Sequence, residues 1–184
     1  MKTNQNEGTR NKSGDSRMLT GMFHDRKSSE SAYNTLQEKG YEKDDINLVM
    51  SDDTRKKHFS GDVKDTEIGT KAAEGAGKGS AIGGAVGTVA GVVAAIGTSL
   101  AIPGLGIVIA GPIAAGLAGA GAGGITGGVI GALVGSGIPE ARAELYESGI
   151  KEGNIVIGVH PRNNEDAEYL ENNWRTNNGT EIHR

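Results

Sequence analysis

Between Gly79 and Pro139, 61 consecutive residues contain no Asp, Glu, Lys, Arg or His, and 19 of the chain's 31 glycines lie there. Apolar surface on that scale is not left in water. The glycines are patterned. Gly75, Gly79, Gly83, Gly87 and Gly91 recur at every fourth position, as do Gly119, Gly123, Gly127, Gly131 and Gly135, so each set draws one strip along a helix. Such helices are poor in isolation: the six glycines from Gly79 to Gly97 cost roughly 5–6 kcal/mol relative to alanine. Close helix approach across a flat glycine face offsets that cost, as in small-xxx-small pairs in lipid.

Segment lengths point the same way. Ser80–Ile102 is roughly 34 Å long as a helix and Pro112–Gly135 roughly 36 Å, against a hydrocarbon core of about 30 Å. Pro103 and Gly104 make a turn between them. The connector from Ile102 to Gly111 is uncharged, so it crosses or enters a bilayer at low cost. The pattern predicts a glycine-zipper helical hairpin that inserts tip first, with both flanks on the cytoplasmic side. Hydrophobic strength is marginal, however. Eight Val, Ile and Leu side chains in the first segment contribute only about −2.4 to −4.8 kcal/mol on an insertion scale. The alternatives are a soluble cytoplasmic protein whose hairpins pair between copies, and low-complexity coil.

The flanks are polar and rhythmic. Residues 18–24 read as a strand, Ser28 to Gly40 as a helix carrying Ala32, Tyr33 and Leu36, and Ile46, Leu48 and Met50 as an alternating strand. After the apolar stretch come a helix from Pro139 to Gly149, a strand with Ile155, Ile157 and Val159, and a helix from Asn164 with Ala167, Leu170 and Trp174. A short strand follows Gly179. The order is that of an α+β, ferredoxin-like domain split by the hairpin, with strands 18–24 and 154–160 as its central pair. The expected division is a disordered tail (1–17), a first half-domain (18–51), a polar linker (52–71), the hairpin (72–138) and a second half-domain (139–184). Trp174 is expected to anchor the last helix on the sheet. Two independent lobes are the rival arrangement.

Little chemistry is visible. The net charge of −4 is mild and lacks a basic cluster, so the footprint of a nucleic-acid binder is missing. Cysteine is absent, which removes disulfides and thiolate sites. Gly119 to Gly124 match GxGxxG within an apolar helix, without the strand–turn–helix context that gives the motif meaning. Gly77-Lys78 lacks the rest of a P-loop. His24, Asp25 and His160 fall at the ends of the two strands expected side by side and form a weak metal-site candidate. No catalytic residue and no cofactor is expected.

Several runs together resemble a bacterial family. They are Gly21-Met-Phe, Gly40-Tyr41, Ile102-Pro-Gly-Leu-Gly106, Gly131-Ala-Leu-Val-Gly-Ser-Gly-Ile-Pro-Glu140, Ala143-Glu-Leu-Tyr146 and Gly153-Asn-Ile-Val-Ile-Gly-Val159. The family is that of general stress or low-temperature-induced glycine-zipper proteins, and the likeness spans about residues 18–183. Ile107 stands where a proline is common, and the polar N-terminal extension is a second departure. The resemblance implies stress induction and a membrane-associated zipper, and carries over no catalytic residues. The expected function is thus non-enzymatic, with a lipid bilayer and further copies of the chain as partners. The alternatives are a self-assembling soluble protein and a small-ligand or metal sensor on the α/β domain.

Overall fold

A computed structural model describes residues 17–59, 100–102, 106–119 and 128–184. The first half supplies β1 (Leu19–Phe23), α1 (Arg26–Glu38), β2 (Ile46–Ser51) and α2 (Asp52–Phe59). The apolar stretch supplies β3 (Leu100–Ile102), β4 (Ile107–Ala110), α3 (Pro112–Gly119) and α4 (Gly128–Gly135). The second half adds α5 (Glu140–Lys151), β5 (Ile155–Val159), α6 (Asn164–Thr176) and β6 (Thr180–His183). The fold is mixed α+β. Its six strands form one sheet in the order β3-β4-β2-β5-β1-β6, antiparallel at every step.

The two flanks share this sheet. Leu19 pairs with Val159 and Phe23 with Ile155, while Ile46 pairs with Val159 from the other side. Strand alternation then sorts the side chains. Leu19, Phe23, Leu48, Ile155 and Ile157 face one way and pack with Tyr33 and Leu36 of α1 and with Leu170 and Trp174 of α6. Trp174 is fully buried and meets Phe23 edge-on at 5.7 Å. Gly21 makes room for it: a Cβ there would lie 2.8 Å from the indole ring.

The opposite face is also covered. Met22, Val49, Ile107, Ile109 and Val156 pack with Ile113 and Leu117 of α3, Val129 and Leu133 of α4, and Tyr146 and Ile150 of α5. The result is a three-layer sandwich, and every residue of β1, β4 and β5 is buried. Polar groups pin this second layer. The Ile113 amide donates to Asn47 Oδ1 (2.8 Å) at the start of α3, and the Tyr146 hydroxyl lies 2.8 Å from Thr20 Oγ1 and donates to the Glu181 carbonyl at 2.7 Å. Burial pushes that phenol up to about 12.

Several expectations are overturned here. Among the described residues no helix is long and apolar enough to cross a membrane, so the transmembrane hairpin is withdrawn. Pro112–Gly135 is not one helix. Gly128, at φ +60°, departs from helical backbone where α4 begins, and residues 120–127, between α3 and α4, lie outside the described residues. Leu100–Ile102, expected as the end of the first helix, and Ile107–Ala110, expected in the connector, are paired strands with Ile102 opposite Ile107. The lack of charge in β4 follows from its burial in a sheet covered on both faces. Residues 52–59, expected within a linker, form α2 with Phe59 buried. Gly149 does not stop α5, which runs to Lys151. It sits where a Cβ would overlap Met22 Sδ, and Gly153, at φ +99°, follows the helix end.

Candidate functional site: a glycine-walled slot

Gly111 ends β4 at φ +93° and turns the chain directly into α3, whose first turn closes when the Ala115 amide donates to the Gly111 carbonyl (3.2 Å). Schellman-type bonds close α4: the Gly137 amide donates to the Val134 carbonyl and the Ile138 amide to the Leu133 carbonyl (2.9 and 3.1 Å). The two helices thus lie over the same sheet face, with a slot of about 400 Å³ between them. One wall is Pro112, Ile113, Gly116 and Leu117; the other is Gly131, Ala132, Gly135 and Ser136. Met18 and His160 complete the lining.

The zipper glycines divide sharply by position. Gly75, Gly79, Gly83, Gly87, Gly91, Gly123 and Gly127 lie outside the described residues, as do Pro103 and Gly104. Gly119 is the last residue of α3. Gly131 and Gly135 are described and are not in close helix contact: a Cβ at either would meet nothing within 4 Å. The same holds at Gly116, which falls outside the four-residue register and was therefore not singled out. Its signal was present all the same, as a glycine inside an otherwise favourable helical run, Ile113-Ala-Ala-Gly-Leu-Ala118.

The metal candidates separate. Because β1 and β5 are antiparallel, the residues after their C-terminal ends, His24 and His160, lie at opposite ends of the pair. His24 Nδ1 is 2.9 Å from Asn154 Oδ1 and its Nε2 is 3.1 Å from Thr180 Oγ1, so it ties β1 to the starts of β5 and β6. His160 lines the slot. Asp25 is the N-cap of α1, its carboxylate accepting from the Ser28 amide (2.9 Å) and the Ser28 hydroxyl (2.6 Å). Among the described residues no group of three His, Asp or Glu is placed to hold a metal ion.

The Ser28 hydroxyl and amide hold the Asp25 carboxyl below its ordinary value of 3.8. A depressed folded-state pKa gives stability that is present above the unfolded value and lost as pH falls through the folded one. Asp25→Ala should therefore lower stability by about 1 kcal/mol at neutral pH, and by less as pH falls through the lowered pKa of the wild-type carboxyl. Urea midpoints of the two proteins at neutral and acid pH test this.

No protein-family model, no curated protein and no solved structure matches the chain.

Proposed function

We propose that this chain is a non-enzymatic stress-response protein that self-assembles through the uncharged outer surface of α3 and α4. The frame we infer is ferredoxin-like, with the glycine-rich segment inserted between its second and third strands and folded over one sheet face. The strand order β2-β5-β1-β6 of the flanks supports that reading, as does the joint core of Ile107, Ile113 and Leu133 with Met22 and Val156. The stress-response part rests on the sequence runs from Gly21 to Val159 that resemble the glycine-zipper family. The non-enzymatic part is supported by the slot's lining, in which His160 is the one ionisable side chain and the Ser136 hydroxyl donates to the Ala132 carbonyl of its own helix (2.9 Å).

One observation carries the assembly reading. A helical glycine costs about 1 kcal/mol relative to alanine, and glycine earns its place only where something comes close. Gly111 and Gly149 meet that condition, since a Cβ on either would overlap a neighbour. Gly116, Gly131 and Gly135 have open space instead, beside the exposed Ala115 and Val134. A second copy brought against this surface supplies the missing contacts. Light scattering on the full chain should therefore give a multiple of 18.9 kDa. Gly131→Gln combined with Gly135→Gln should return the monomer mass with the unfolding midpoint held or raised, because glutamine is the better helix former. A wild-type chain that stays monomeric at millimolar concentration would remove this reading.

A further inference from the structure

The slot between these helices has a second use. Its volume of about 400 Å³ lies in the range of small-molecule sites, about 300–1,000 Å³. A helix as long as α3 and about 10 Å across would need roughly 1,000 Å³, so another helix does not fit between the walls. A slender molecule does. Gly116, Gly131 and Gly135 present bare backbone to it, which leaves room for an occupant without moving a side chain. Ile113, Leu117 and Ala132 are buried apolar residues of the same walls, and the thioether of Met18 adapts to irregular shapes.

The polar side chains of the lining are Ser136, whose hydroxyl donates to the Ala132 carbonyl, and His160. Leu19 pairs with Val159, so Met18, just before β1, and His160, just after β5, sit together at the same end of the strand pair. His160 is solvent-exposed and is the one ionisable side chain of the lining. An imidazole at the mouth of an uncharged apolar slot matches a ligand with an aliphatic body and one acidic, hydrogen-bonding head. We propose that the slot between α3 and α4 binds one medium-chain aliphatic carboxylate, its chain lying between Leu117 and Ala132 and its head at His160. The ligand and a partner copy draw on the same open space at Gly116, Gly131 and Gly135, so the two readings are told apart by separate measurements of binding and of mass.

Calorimetric titration of the full chain with decanoate, below the concentration at which it forms micelles, tests the proposal. One saturable site per chain is expected, with a dissociation constant on the order of 10–100 μM. Gly131→Leu fills the slot and should weaken binding at least about tenfold, while its unfolding midpoint stays at or above wild type because the added side chain meets open space. His160→Ala should weaken decanoate about tenfold and leave the uncharged decanol unchanged. Absence of saturable binding to the folded protein would overturn the site, as would equal affinity in the Gly131→Leu variant. Equal losses for decanoate and decanol in His160→Ala would overturn the placement of the head. Assembly is read separately by light scattering, so a monomeric protein that still binds decanoate would sink the assembly reading alone.

Discussion

Gly111→Ala should lower the free energy of unfolding by about 3–5 kcal/mol, a large part of what a domain of this size has. Two effects add. The residue sits at φ +93°, where an L side chain costs about 1–2 kcal/mol. The new methyl group would also overlap the Ile46 carbonyl oxygen and lie 3.0 Å from Asn47 Cα. Neither atom can yield cheaply, because Ile46 and Asn47 are in register with Val159 and Gly158 of β5. Any retreat also strains the buried bond from the Ile113 amide to Asn47 Oδ1, worth about 1–3 kcal/mol if its acceptor is left unsatisfied. Gly137→Ala is the matched control. It has φ +90° and nothing within 4 Å, so it should lose about 1–2 kcal/mol from conformation alone. Urea unfolding of both variants gives the comparison, and equal losses would mean that the β4–α3 corner is not tightly seated on β2.

The flanks were legible because their signals are local. Alternation in Ile46-Asn-Leu-Val-Met50 and helical spacing of Ala32, Tyr33 and Leu36 need no knowledge of the partner surface. The same rhythm placed strands 18–24 and 154–160 side by side, and Leu19–Phe23 does pair with Ile155–Val159. Trp174 was expected to hold the last helix to the sheet, and it is buried against Phe23. What misled was the apolar stretch. An uncharged, glycine-rich run looks the same whether lipid or a sheet will cover it, since both demand small apolar residues. The distinguishing marks were short. Ile107-Val-Ile-Ala110, bounded by Gly106 and Gly111, is the pattern of a strand buried on both faces. Val49 and Val156, apolar where a one-sided sheet would carry polar residues, said that the second face was covered.

The candidate site was less readable. Gly131 and Gly135 belonged to a strip that the four-residue register exposes, but Gly116 did not. His160, a metal-ligand candidate with His24 from sequence, instead lines the slot with Met18. Strand direction decided the matter, because antiparallel pairing sends two C-terminal strand ends apart, and residue type alone does not report direction. Gly111 was missed because its role depends on the Ile46 carbonyl, 65 positions away in the chain, which no local pattern shows.

The central claim is that the described parts of residues 100–138 are built into the core and are not an appendage to it. Within that span lie β4, α3 and α4, and with them Ile107, Ile109, Ile113, Val129 and Leu133, all buried. Removing them strips most of the cover from Met22, Val49 and Val156 and leaves Ser51, Met50 and Leu48 of β2 without their partners in β4. Each large apolar side chain lost from such a face is worth about 1.5–3 kcal/mol of burial, and five of them together are comparable to the whole stability typical of a domain. The decisive measurement is thermal and urea unfolding of a chain in which residues 100–138 are replaced by a short Gly/Ser linker. Loss of the cooperative transition, with exposed apolar surface that binds a hydrophobic dye, is the result expected. A sharp transition with an unfolding midpoint near that of the full chain would contradict the account and make the glycine-rich segment a dispensable insertion.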